Sequence, residues 1–221
     1  AKAEVTKSNM AASAASAQDA VTDALNLALT LEYLEDEYYR IGVGTTGLIP
    51  APDKVVFNQI SKHETAHVAY LKAALGAAAV SKPTFDFTGG TGGGNGPFKD
   101  VFTNYKTFMA VAQAFEDTGV RAYKGQAGNV ASNGAVLQVA LQIHSVEARH
   151  ASQVRRMRGL KGWITGNDGG GPVPAYTSAS YNGEENLIQA GYNTSTLFGA
   201  GAGSASFDEP ITGDVAKMIA G

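Results

Sequence analysis

A lone glutamate followed some thirty residues later by Glu-x-x-His occurs twice in this chain. The first copy is Glu32 with Glu64 and His67; the second is Glu116 with Glu147 and His150. The lone and paired glutamates stand 32 and 31 residues apart, close to what two antiparallel helices and a short turn need. Glu and His at i and i+3 share one helix face, about one turn apart. Each acidic residue interrupts an apolar helical stripe, where a charge is costly unless something neutralises it. Four carboxylates and two imidazoles converging in a bundle core form a ligand set for two iron or two manganese ions. Each histidine would bind one metal, Glu64 and Glu147 would reach towards both, and Glu32 and Glu116 would each be a terminal ligand. Four carboxylates also balance two divalent ions. The expected cofactor is two iron ions, with manganese or zinc as alternatives, because oxygen and imidazole donors accept all three.

Four helices must position these groups. Helix A is expected to open at Gln18 or Asp19, run to about Arg40 and stop at Gly42, with Glu32 inside the broad face of Ala24, Leu27, Leu31, Leu34 and Tyr38. Asp53 is the expected N-cap of helix B, from about 54 to 78, whose stripe Val56, Ile60, Leu71, Ala74 and Leu75 contains Glu64 and His67. Residues 79–97 are too long and glycine-rich for a hairpin turn and suit a crossover between two helix pairs. Helix C is expected to carry Pro97 in its first turn and to end near Gly125. Ser132 or Asn133 should cap helix D, whose stripe Val136, Ala140, Ile143 and Val154 contains Glu147 and His150.

This divides the chain into an Ala/Ser-rich arm at 1–17, a bundle at 18–159 and an extension at 160–221, with short helices near 184–190 and 213–220. The fold class is all-α: a four-helix bundle with a long B–C crossover and an irregular C-terminal appendage. The extension carries Val173, Tyr176, Tyr181, Leu187, Ile188, Leu197, Phe198, Phe207 and Ile211 but too little periodicity for a core of its own. It is expected to pack on the bundle or on neighbouring copies, so the expected partner is the chain itself, as a homo-oligomer or a filament.

Other groups compete for attention. Glu35 and Asp117 read as surface acids or as supports for a ligand, and His63 as turned about 100° away from Glu64. His144 reads as a packed or exposed histidine. Tyr39 and Tyr123 each stand seven residues after a lone glutamate, placed either to donate to a ligand or to serve as core aromatics. Arg149, Arg155, Arg156, Arg158 and Lys161 suit the dipole of a helix C-terminus. The run Gly92–Gly93–Gly94–Asn95–Gly96 lacks the Lys-Ser/Thr ending of a phosphate loop. No catalytic residue is assigned.

A chain of 221 residues with 44% hydrophobic content suffices for one sizeable core. A net charge of −3 argues against a nucleic-acid partner, and no segment has the roughly 20 apolar residues a membrane span requires. Without cysteine, disulfides, thiolate metal sites and cysteine nucleophiles are excluded. The chain begins Ala-Lys-Ala-Glu rather than Met; a cleaved signal peptide and a shortened chain both account for that.

The segments LALTLEYLEDEYY, HETAHVAYLKAAL, FEDTGVRAYKG and SVEARHASQVR resemble the four helices of the ferritin-like superfamily. More narrowly they resemble the ferritin-like domain proteins related to plant desiccation-related proteins, and FDEPITGDVAKMIAG is similar to that subgroup's C-terminal tail. The likeness covers most of residues 20–221. It implies a left-handed bundle with Glu32, Glu64, His67, Glu116, Glu147 and His150 at the metal-ligand positions, and a periplasmic or extracellular location. The glycine-rich crossover and the long tail depart from storage ferritins and argue against a hollow storage cage. The expected function is an exported di-metal carboxylate protein that reacts with dioxygen or peroxide or oxidises iron. The alternative is an extracellular structural or filament-forming protein with a structural or vestigial metal site.

Overall fold

Leucine, alanine and aromatic side chains at helical spacing bury four long helices against one another. In the computed structural model, the backbone is described for residues 2–169 and 174–220, and side chains for residues 14–169 and 177–220. The main helices are α1 (Lys2–Gly44), α2 (Ala51–Leu75), α3 (Tyr105–Val130) and α4 (Gly134–Met157). The tail adds α5 (Pro174–Tyr181), an antiparallel hairpin of β1 (Ile188–Gln189) and β2 (Tyr192–Asn193), then α6 (Ser195–Phe198), α7 (Ala200–Ser204) and α8 (Gly213–Ala220). The architecture is all-α apart from that hairpin. Packing is closest between α1 and α2 and between α3 and α4, and the two pairs join through α1 and α3.

Several expected boundaries move. The Ala/Ser-rich stretch is helical: α1 runs from Lys2 through it, since no glycine or proline interrupts the chain before Gly42. Nor does Gly42 stop α1, or Gly125 stop α3. Both are helical positions of close approach, where a Cβ would collide with the Phe108 ring and with the Ile211 carbonyl respectively. Pro50, not Asp53, precedes α2, and Asp53 instead accepts a 2.7 Å hydrogen bond from the Tyr105 hydroxyl. Pro97 lies outside α3; Asn104 caps it, accepting from the Lys106 N–H at 3.0 Å. Asn133 caps α4, its side chain accepting from the Val136 N–H at 3.2 Å. The tail helix at 213–220 is present as α8, whereas 184–190 holds turns and β1.

The crossover is organised from within the chain. One Asp86 oxygen accepts from the N–H and hydroxyl of Thr88, and the other from the N–H groups of Gly92 and Gly94. Phe87, Phe98 and Val101 then bury beside Tyr38, Tyr39, Phe57 and Phe108 in an aromatic cluster at one end of the bundle. Val21, Leu25, Leu29, Tyr33 and Leu71 form an aliphatic cluster towards the other end. Ile211 and Ala216 of the tail bury on Leu27, Leu31 and Ala122. Tyr181 is also buried, while Ile188, Leu197, Phe198 and Phe207 are exposed; Val173 and the side chain of Tyr176 lie outside the described residues. Among the described residues no helix is long and apolar enough to cross a membrane.

Candidate metal centre

Between the aromatic and aliphatic clusters, each long helix turns acidic side chains into the core. Glu32 from α1, Glu64 from α2, Glu116 from α3 and Glu147 from α4 are all 0% exposed. His67 and His150 lie one turn beyond Glu64 and Glu147. Two overlapping donor sets result: Glu32, Glu64, His67 and Glu147, and Glu64, Glu116, Glu147 and His150, each with one donor atom per residue within 4.8 Å of the others. Glu64 and Glu147 belong to both. All six residues singled out by the repeated spacing thus meet in one place.

The donor atoms face one another. His67 Nδ1 lies 3.1 Å from Glu32 Oε2, 3.1 Å from Glu64 Oε2 and 3.0 Å from Glu147 Oε1. His150 Nδ1 lies 3.0 Å from Glu64 Oε1, 3.3 Å from Glu116 Oε2 and 3.4 Å from Glu147 Oε2. Despite this proximity, Glu64 Oε1, Glu116 Oε2, both Glu147 oxygens and His150 Nδ1 are buried and lack a hydrogen bond of good geometry. Buried lone pairs aimed at common points rather than at donors suit cations between them. On that observation the residues fit bound metal.

Two tyrosines hold the terminal carboxylates. The Tyr123 hydroxyl donates to Glu32 Oε1 at 2.6 Å and the Tyr39 hydroxyl to Glu116 Oε1 at 2.5 Å. Each bond leaves the other oxygen of that carboxylate facing a histidine. Burial beside these carboxylates raises both tyrosines well above the usual phenol range, so they remain donors.

The cluster carries its own charge compensation. Burial raises Glu32, and raises Glu64 well above the usual carboxylate range, with repulsion from Glu147 adding to both. Burial also raises Glu116, to about 7, against the opposing attraction of His150. Glu147 behaves oppositely: burial pushes it up, but the close approach and positive charge of His150 and His67 outweigh this and hold it at about 2. Burial pushes His67 down, yet its bonds to Glu147, Glu32 and Glu64 carry it up to about 12. His150 rises too, through Glu116, Glu147 and Glu64, against its burial. Protons and imidazolium charge therefore hold the metal-free cluster together, and metal cations can replace them.

A fifth carboxylate sits beside the four. Glu35 is buried, at 2% exposure, and burial with repulsion from Glu147, Glu116, Glu64 and Glu32 raises it well above the usual range. It is no surface acid. Its spacing from Glu32, i and i+3, was the available signal. Gly119 on α3 makes room for it, since a Cβ there would stand 3.3 Å from Glu35 Oε1. Asp117 is buried as well, and pairs with Arg155 Nη2 at 2.6 Å while accepting from the Tyr181 hydroxyl at 2.7 Å. Arg155 is therefore a buried ion-pair partner that ties α4 to α3 and the tail, not a solvated charge on a helix end. His144 is half-buried, its Nδ1 without a hydrogen-bond partner, and burial lowers it.

His63 does not point clear of the cluster. Its ring stacks on His150 with centroids 5.2 Å apart, and its Nδ1 lies 2.9 Å from His150 Nε2. A single helix cannot reveal this contact, because it forms only when α4 crosses α2.

A search among curated proteins returns no match. The ferritin-like domain family matches residues 20–160, which span all four ligand-bearing helices, and the chain belongs to that family.

Proposed function

We propose that this chain binds two iron ions, or two manganese ions, in the cluster and uses them to react with dioxygen or peroxide, oxidising iron as one such reaction. The observation that carries the reading is the pair of donor sets sharing Glu64 and Glu147. When bound, the pair of metals would supply redox equivalents and Lewis acidity at neighbouring positions. Glu64 and Glu147 offer one oxygen to each position, and Glu32 with His67, or Glu116 with His150, completes each set of four protein donors. Tyr123 and Tyr39 keep Glu32 and Glu116 turned so that a single oxygen faces inward. The flanking apolar clusters exclude bulk water. Zinc would fit the same donors and give a structural site.

The resemblance to desiccation-related proteins supports a place outside the cytoplasm. The test is elemental analysis of the protein as isolated, followed by aerobic addition of ferrous iron. Two ions per chain, oxygen uptake and near-ultraviolet absorption of carboxylate-bound ferric iron are expected, all lowered in His67→Ala. Failure to retain any of the three metals would overturn the reading.

A second reading is favoured by the tail. Ile188 (51% exposed), Tyr192 (55%), Leu197 (70%) and Phe198 (84%) bring apolar side chains to solvent within one short segment. Such groupings mark contact surfaces. It supports self-assembly into a homo-oligomer or filament, with the metals stabilising each unit. Light scattering across micromolar concentrations tests it: assembly that Phe198→Ser disperses supports the reading, and a monomeric mass throughout removes it.

A further inference from the structure

His63 belongs to neither donor set, yet it backs one of the six donor residues. His150 turns Nδ1 towards Glu64, Glu116 and Glu147, so Nδ1 is the nitrogen available to a cation. A neutral imidazole bound through Nδ1 carries its proton on Nε2. That proton points at His63 Nδ1, 2.9 Å away, which must then accept it. His63 in turn carries its own proton on Nε2, 2.7 Å from the side-chain amide of Gln59. As placed, Gln59 Nε2 faces this nitrogen; turning the amide over about its last bond presents the carbonyl oxygen as the acceptor instead. In this chain of three groups every donor meets one acceptor, and it ends at an exposed glutamine one turn earlier on α2.

We propose that His63 is a positioning residue for one half of the metal centre, fixing the tautomer and ring angle of His150, and that the two metal positions are unequal as a result. The internal repeat supplies the contrast. Aligning Glu64 with Glu147 sets His63 opposite Val146, and a valine side chain accepts no hydrogen bond. The equivalent position on α4 therefore cannot give His67 the support that α2 gives His150. The ring-on-ring stacking, with planes 12° apart, adds a steric restraint to the hydrogen bond. The inference rests on the di-metal reading above.

The test titrates the metal-free protein with manganese(II) and cobalt(II) by calorimetry, in wild type, His63→Phe and His63→Asn. Phenylalanine keeps an aromatic face without an acceptor; asparagine restores an acceptor oxygen. Wild type should bind two ions. His63→Phe should weaken one of the two steps by about 10- to 100-fold and leave the other in place, and His63→Asn should recover much of the loss. With cobalt bound, the hyperfine-shifted N–H proton of His150 should exchange with solvent faster in His63→Phe than in wild type. Should His63→Phe disturb α2, His63→Ala removes the same acceptor. Two ions bound with unchanged affinities, or both steps weakened equally, would overturn the role of His63 and leave the di-metal reading standing. A wild type that binds no ion would overturn that reading and the role of His63 with it.

Discussion

The Tyr39 hydroxyl, carried by α1, donates a 2.5 Å hydrogen bond across the bundle to Oε1 of Glu116 on α3. Its counterpart runs the other way, from Tyr123 on α3 to Glu32 on α1 at 2.6 Å. Each lone glutamate is thus held by the tyrosine that follows the other one by seven residues. The internal repeat appears in space as a reciprocal pair of bonds lacing α1 to α3.

Removing either hydroxyl should cost stability and aim. Tyr39→Phe and Tyr123→Phe each leave a buried carboxylate oxygen without its donor, at about 1–3 kcal/mol in urea unfolding of the metal-free protein. Tyr39→Phe should also weaken the metal position that includes Glu116 and His150, and Tyr123→Phe the one that includes Glu32 and His67. Full stability and unchanged metal affinity in both variants would show that the tyrosines merely fill space.

The shared glutamates should behave differently from the terminal ones. Glu64→Ala or Glu147→Ala removes a donor from both sets and should abolish binding of both ions, whereas Glu32→Ala or Glu116→Ala should leave one ion per chain bound. Glu35→Gln, which keeps the shape of a protonated carboxyl, should retain two. Elemental analysis after dialysis separates these outcomes; one ion retained in Glu64→Ala would contradict a bridging position.

The sign of the pH dependence follows from the shifts. Glu116, raised from 4.5 to about 7, keeps a proton in the folded state that the unfolded chain has lost. Its stabilising contribution is full below 4.5 and is lost as pH rises towards 7. His67, raised from 6.5 to about 12, contributes fully below 6.5 and loses that contribution as pH rises further. Glu147, at about 2, acts only at acid pH, where stability falls as pH falls through that value. Metal-free protein should therefore weaken between about pH 5 and about pH 8, by up to about 1.4 kcal/mol per pH unit for each retained proton. With manganese present the trend should reverse, because binding releases protons. Urea midpoints with chelator and with manganese measure both; metal-free protein that strengthens with rising pH would refute the charge assignment.

What the sequence could reveal depended on how local the cause was. The four helices and six cluster residues were legible because i, i+3 spacing and apolar stripes act within one helix. Tyr39 and Tyr123 were visible as echoes of the repeat, though their crossed pairing was not. Helix ends were misplaced at Gly42 and Gly125, where glycine serves close packing by Phe108 and the tail rather than termination. Glu35 and Asp117 stayed open between surface and supporting roles, and the contacts of His63 and Arg155 went unseen, for one reason: their partners lie on other helices, and burial of a charge or an imidazole is settled only when those helices meet.

The tail should depend on one arginine. Arg121 of α3, 1% exposed, pairs with Glu184 at 2.7 Å and donates to the carbonyls of Ser180, Asn182 and Glu209. Glu184 is equally buried and also accepts from the Glu209 N–H at 2.9 Å. One guanidinium therefore joins two separate stretches of the tail, 180–184 and Glu209, to the bundle. Arg121→Ala strips Glu184 of its partner in a buried place, which should cost about 3–5 kcal/mol and free residues beyond about 177 for proteolysis. Replacing both partners with apolar side chains, Arg121→Met with Glu184→Leu, removes the unpaired charge and should recover part of that loss. The carbonyls would still lose their donors, so recovery should be incomplete. Metal binding should persist in both variants, since no ligand is touched. A tail that resists protease as well in Arg121→Ala as in wild type would mean that Ile211 and Ala216, buried on Leu27 and Ala122, hold it unaided.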